Sequence, residues 1–293
     1  MFDLTKKTNQ LFILIFLALI WGSSFILMKK GLYSYSPVEI TLYRLFIVFI
    51  VFLPFGIKEL NKVNLKTGSI LLISGLIGSA IPYFLFIKAQ TKIDSSLNGI
   101  LNSITPLFTI IFGFILFKQK IKSRAFIGVC TGLIGASTLV WVSSKGINIK
   151  KNLIYSILPI IGSACYALNL NIIKVYLKDI SAVKITSWSF LLIGPLAGIY
   201  LFFNTDFNSH LINNDPNMIN FLYINILGIL GTGFAVWLFN ILIKHTSSVF
   251  ASSVTYLIPI VAILWGIIDG EIFTIVQAIL SVLILLGVYL IKS

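Results

Sequence analysis

The chain has 293 residues, 58% of them hydrophobic and 11% charged, with a mean hydropathy of +1.01, whereas soluble domains carry about a quarter charged residues. Charge-free stretches recur, each near the roughly 20 residues a spanning helix needs, which excludes a soluble globular domain and, by their length, barrel strands. The net charge of +13 does not point to nucleic acid, because the basic residues are dispersed among loops rather than gathered on one face.

Ten membrane helices are predicted, at 11–28, 38–57, 68–87, 95–117, 125–143, 152–173, 185–203, 218–243, 247–268 and 272–291, with links too short for a separate soluble domain. Lys6 and Lys7 precede the first, which is read as an uncleaved helix rather than a signal peptide because its apolar run is long and nine more follow. Lys29 near its end reads as an anchor reaching the interface, as does Lys174 at the end of the sixth. The second span, LYRLFIVFIVFLPF (42–55), holds one guanidinium, Arg44. It lies about six residues inside the span, roughly 9 Å from its end, so simple snorkelling is a stretch. It either pairs a substrate carboxylate, steadies a gate, or anchors helices by hydrogen bonds.

The third span contributes Tyr83. The fourth places Ser95, Asn98, Asn102 and Thr105 at spacings of three and four, a polar stripe on an apolar helix, with Pro106 in its middle. Such stripes either hold helices together or line a wet path. Two asparagines favour lining, since each amide has several hydrogen-bonding positions to satisfy. Gly128, Gly132 and Gly135 give the fifth span a small-residue face for close helix contact. The tenth span offers only Gly287 at that level, so no symmetric dimer seam is indicated and the oligomeric state stays open. Cys130 and Cys165 are expected as small core residues with no disulfide role. The sixth and eighth spans add Tyr166 and Trp237. The ninth repeats the stripe with Ser248, Ser252, Thr255 and Tyr256, and again a central Pro259. Each proline removes a backbone bond and permits a kink, so the two helices form a candidate gate. The candidate solute-lining residues are Tyr83, Asn98, Asn102, Tyr166, Trp237 and Tyr256. Aromatic faces suit amphipathic solutes, including cations.

The chain repeats itself. GLIGSAIPYFLF (75–86) aligns with GILGTGFAVWLF (228–239) at an offset of 153, which also carries Ser95 onto Ser248, Asn102 onto Thr255 and Pro106 onto Pro259. At offset 145, ALIWGSSF (18–25) aligns with SACYALNL (163–170) and Lys29 with Lys174. Two five-helix copies, 1–147 and 148–293, follow, and an odd helix number makes the second inverted. Lysine placement agrees. The run KQKIKSR (118–124) is basic where its counterpart Asp269-Gly270-Glu271 is acidic, and the overall bias puts both termini in the cytoplasm. Inverted repeats are characteristic of secondary transporters with a site near the bilayer midplane.

ALIWGSSF followed by Ser36-Pro37 and Arg44, the paired GxxG helices, and Pro259-x6-Gly266 ending in Asp269-Gly270-Glu271 resemble the EamA-type branch of the drug/metabolite transporter superfamily, over essentially the whole chain. The resemblance implies a plasma-membrane bundle of two inverted five-helix repeats with a central cavity lined by helices 1–4 and 6–9, moving small metabolites. Because the family pattern has an arginine at this place whatever the substrate, it implies a gating or structural role for Arg44 rather than substrate binding. Two departures stand out: Phe117-Lys118-Gln119 replaces the usual Gly-Glu of the first copy, and Ser189 stands near the counterpart of Arg44 in the second.

No GxxxxGK[ST] is present, so ATP is not the direct energy source. The two histidines, His210 and His245, are expected in loops, and no HExxH, CxxC or embedded acid pair supports a hydrolase or metalloenzyme. No cofactor is implied. The partners expected are a small-molecule solute and the lipid bilayer. The expectation is therefore a secondary transporter of amino acids or related amphipathic solutes, in the export direction and by alternating access. A passive facilitator or channel of the same fold is the alternative, since no acid lies deep in a span to couple an ion.

Overall fold

A computed structural model of the chain describes residues 6–58, 64–118, 149–212 and 217–292, with scattered positions between 127 and 142. Every element among the described residues is helical, as hydrocarbon requires of a spanning chain whose backbone must satisfy itself. Eight helices are long and apolar enough to cross a membrane: α1 (Lys7–Gly31), α2 (Pro37–Ile57), α3 (Leu65–Gln90), α4 (Ser95–Ile115), α5 (Ile149–Tyr176, apolar from Ile154), α6 (Ala182–Asn204), α7 (Met218–His245) and α8 (Ser248–Ile268). A further helix, α9 (Ile275–Lys292), carries a shorter apolar stretch, Ile275–Leu286. Of the ten expected spans, the fifth, 125–143, falls largely outside the described residues, and α9 covers most of the tenth, 272–291. Lys62, Lys120, Lys122, Arg124, Lys145 and Asp215 of the charge pattern also lie outside them.

Helix starts follow local chemistry. Ser36 Oγ accepts from the Glu39 amide (3.2 Å) and Glu39 returns a carboxylate to the Ser36 amide (2.7 Å), a capping box with Pro37 in the first turn. Glu39's other oxygen lies 3.1 Å from His210 Nδ1. His210 is not in a loop but on a short helix, Phe207–Ile212, and His245 closes α7. The cysteines are also not core residues, since Cys130 is exposed and Cys165 only partly buried.

The repeat has structural counterparts. α3 contains a π-helical turn at Leu76–Ala80 and α7 one at Ile229–Phe234, starting 153 residues apart. α4 is broken after Asn102 and resumes at Thr105; α8 is broken after Ser252 by a 3-10 turn, Ser253–Tyr256, and resumes at Ile258. Packing is paired likewise: α1 lies against α7 and α8, α5 against α3 and α4, and α2 against α6. At one end of α4, Ser95 shares a carboxylate with Lys29 at the end of α1. Past its other end, Phe117 contacts Tyr176 at the end of α5, ring centroids 6.0 Å apart. The C-terminal ends of α1 and α5 therefore lie at opposite ends of the bundle.

Close contacts rest on small residues. A Cβ at Gly194 of α6 would sit 2.2 Å from Phe49 Cβ of α2, and one at Gly99 of α4 2.5 Å from Ala262 Cβ of α8. Without a hydrophobic driving force between helices in lipid, such close approach and interhelical hydrogen bonds hold the bundle. Asn171 of α5, fully buried, donates to the Thr109 carbonyl of α4 (3.0 Å).

Candidate functional site

A cavity of about 110 Å³ opens at the middle of the bundle. One water needs about 10–15 Å³, so it has room for roughly seven to eleven, the scale of a small organic solute. Its walls come from both copies: Trp21, Ser24, Phe25 and Met28 of α1; Arg44 of α2; Gly78, Tyr83 and Phe86 of α3; Asn102 and Thr105 at the break of α4; Tyr166, Asn169, Leu170 and Ile173 of α5; Val236, Phe239, Asn240 and Ile243 of α7; and Ser252, Val254, Thr255 and Ile258 around the break of α8.

The breaks put polar atoms where a continuous helix would have none free. Pro106 sits in the first turn of the resumed α4 and cannot donate, and Thr105 Oγ1 donates to the Asn102 carbonyl (2.8 Å). Around Pro259 the arrangement is similar, with Thr255 Oγ1 donating to the Ser252 carbonyl (2.8 Å). The π turns serve the same wall. Trp21 Nε1 donates to the Gly231 carbonyl (2.9 Å), and Gly78 leaves room for Asn169, whose Nδ2 lies 2.1 Å from where a Cβ would stand. Asn169 Oδ1 accepts from Ser74 (2.7 Å) and Asn240 donates to Thr186 Oγ1 (2.9 Å), so both amides are oriented from behind. Aromatic faces pack together, Phe86 on Tyr166 (centroids 5.7 Å) and Trp21 against Phe239 (4.8 Å).

Arg44 is 4% exposed. Its Nε donates to Thr232 Oγ1 in the π turn of α7 (3.0 Å), Nη1 faces Met28 Sδ (3.9 Å), and the guanidinium lies over the Tyr83 ring, 3.9 Å from its centroid.

Of the residues singled out by sequence, Arg44, Tyr83, Asn102 and Tyr166 line this cavity, as do Thr105, Ser252 and Thr255 of the polar stripes. Asn98 does not. It is fully buried between helices, donating to the Phe86 carbonyl (2.9 Å) and Gln90 Oε1 (3.0 Å). Trp237 packs beside Phe234 outside the cavity, and Tyr256 belongs to the apolar cluster between α4 and α8. Asn169 and Asn240 escaped the sequence reading. The offset of 153 sets Asn240 opposite Ile87, so the repeat gave no hint of it, and nothing in the sequence marks which face of α5 looks inward.

At the ends of the spans, the lysines are more than interface anchors. Lys29 pairs with Asp269 (2.7 Å) and Glu271 (2.8 Å), and Lys30 with Asp269. Glu271 also accepts from the Ser95 amide (2.9 Å), Ser95 Oγ (2.6 Å) and the Ser96 amide (3.0 Å), capping α4 from a distant loop. Burial alone would raise its pKa, but these bonds from Lys29, Ser95 and Ser96 outweigh it and hold the carboxyl down at about 2. Asp269 is likewise held below its ordinary value, the Lys29 and Lys30 bonds overriding burial. Gly270 between them has φ +84°, a left-handed turn that glycine accommodates without strain. At the far end, Lys174 donates to the carbonyls of Ile243 (3.1 Å) and Thr246, and Lys244 to that of Ile180 (2.5 Å).

A solute-sized cavity walled by interrupted, membrane-crossing helices is the arrangement of a membrane transporter. The chain belongs to the EamA-like transporter family, whose model matches residues 9–141 and 153–293. It is similar to the uncharacterized inner membrane transporter YedA of Escherichia coli K12, 24% identical over 259 residues, which cover 85% of this chain and 79% of that protein. YedA of E. coli O157:H7 gives the same values. One crystal structure of a protein shares the fold, with a TM-score of 0.68 at 16% identity, covering 97% of this chain and 96% of that one.

Proposed function

We propose that this protein is a secondary transporter that exports small amphipathic metabolites, amino acids or related solutes, across the plasma (inner) membrane by alternating access. Residues 1–147 and 148–293 act as two inverted five-helix repeats around the cavity, with both termini in the cytoplasm. The observation that carries the reading is that α4 and α8, equivalent under the 153-residue offset, both break beside the same cavity. Opposed ends of α1 and α5 and the paired π turns support the inverted arrangement. Tyr83, Asn102 and Tyr166 contact the solute, and the breaks next to Pro106 and Pro259 are the moving parts. Opening the end at Lys29 requires parting its bonds to Asp269 and Glu271.

Passive facilitation is the second reading, and one observation favours it: none of the residues lining the cavity is Asp or Glu, so an ion coupled through a buried carboxylate lacks a ligand there. Proteoliposomes loaded with a labelled amino-acid mixture separate the two. Saturable efflux that responds to a pH gradient supports coupled transport; saturable efflux indifferent to the gradient supports a facilitator; no efflux refutes amino acids as the solute.

A further inference from the structure

We infer that the cavity selects solutes by a carboxylate, with Arg44 as its counter-ion, and that this anion reaches the cavity from the end marked by Lys174 and Lys244. The inference rests on the transport reading and adds the substrate class. A guanidinium has five N–H donors in a rigid fork. The gating or structural role implied by the family pattern engages one of them firmly, Nε on Thr232 Oγ1, while Met28 sulfur at 3.9 Å is a weak acceptor for another. Among the described residues the remaining three have no hydrogen-bond partner. Tyr83 covers one face of the group and leaves its edge free, the geometry in which arginine takes a carboxylate bidentately.

The charge must be answered by something. Arg44 is almost wholly buried, no lining residue is acidic, and no acidic side chain pairs with it among the described residues. A buried charge without a counter-ion is costly, so an anionic solute gains by supplying one. The rest of the wall suits an apolar or aromatic body, with Phe25, Phe86 and Tyr166 among its residues. A cationic amine without a carboxylate meets like charge instead.

An independent observation lies at the two ends. The lysines beside Ile243, itself a cavity residue, are bonded to backbone carbonyls, and among the described residues no carboxylate neutralises them. At the opposite end Lys29 and Lys30 are neutralised by Asp269 and Glu271. A bundle that is cationic at one end and at its central cavity, and neutralised at the other end, draws anions toward the cavity from the first.

Three probes with one phenyl body test this on the purified full-length protein: phenylalanine, 3-phenylpropanoate and phenethylamine, each labelled. Binding is measured in detergent and flux in proteoliposomes. Both carboxylates should bind at least tenfold more tightly than the amine. Arg44→Gln should abolish that ranking, and Arg44→Lys, which keeps the charge without the fork, should narrow it. Should either variant not fold, the ranking in the unsubstituted protein is decisive by itself. Lys174→Met should slow carboxylate entry from its own side, most at low salt, while leaving equilibrium affinity within about twofold. Amine binding equal to or tighter than carboxylate binding overturns the inference, as does binding of none of the three at millimolar concentration. Carboxylate binding without flux upholds the anion site and removes the transport reading, whereas flux indifferent to charge upholds transport and removes the anion site. A preference between the two carboxylates tells whether the ammonium of an amino acid is also recognised.

Discussion

Replacing Glu271 by glutamine keeps the shape of the side chain and removes its charge. The carboxylate holds four donors from two other elements: Lys29 of α1, the amide and hydroxyl of Ser95, and the amide of Ser96. The amide nitrogen of the variant would turn a donor toward one of them. Its carboxyl is held from the ordinary glutamate value of 4.5 down to about 2, and at about 1.4 kcal/mol per unit this corresponds to about 3 kcal/mol. The sign follows from the direction of the shift. Protonation is harder in the folded state, so the stabilisation is fully present above pH 4.5 and is lost as pH falls toward 2. Unfolding midpoints in detergent, taken from pH 7 to 2, should therefore lie well below those of the unsubstituted protein at neutral pH and converge with them at the acid end, apart from a residual slope from Asp269. Equal midpoints at pH 7, or identical acid slopes in the two proteins, would refute the argument.

A methyl at Gly78 must displace the Asn169 amide, which lies 2.1 Å from it and whose oxygen accepts from Ser74. Gly78→Ala should cost about 1 kcal/mol in stability while raising the KM for flux severalfold in proteoliposomes. Gly194→Ala meets Phe49 Cβ at 2.2 Å and the Leu45 carbonyl at 3.2 Å, atoms that cannot swing aside. It should lower the thermal midpoint through about 1–3 kcal/mol of overpacking, with the KM unchanged in whatever fraction folds. Asn171→Leu removes the bond from α5 to the Thr109 carbonyl and should destabilise by roughly 0.5–2 kcal/mol in the same melting assay.

Much was legible in sequence because lipid makes the rules one-dimensional. A backbone in hydrocarbon must bond to itself, so apolar runs of sufficient length read directly as helices, and repeated Gly, Pro and Ser positions read as repeated breaks. Membership of a transporter family, the interruptions beside Pro106 and Pro259, and the inward placement of Arg44, Tyr83, Asn102 and Tyr166 all follow from such local signals. What one-dimensional signals do not carry is which face of a helix meets which neighbour. Asn98 and Asn102 lie four residues apart on one stripe and in the same piece of α4, yet only Asn102, at the edge of the break, lines the cavity, while Asn98 is bonded to the Phe86 carbonyl and Gln90. Asn169 and Asn240 were invisible for the same reason. Glu271 reaches Lys29 across 242 residues, a pairing decided by how two helix ends meet. Composition, length and repetition determined the class of protein and the position of its breaks. The tertiary structure alone decided which polar groups are held by partners and which line the cavity, because hydrogen-bond satisfaction depends on distances between helices that the sequence does not specify.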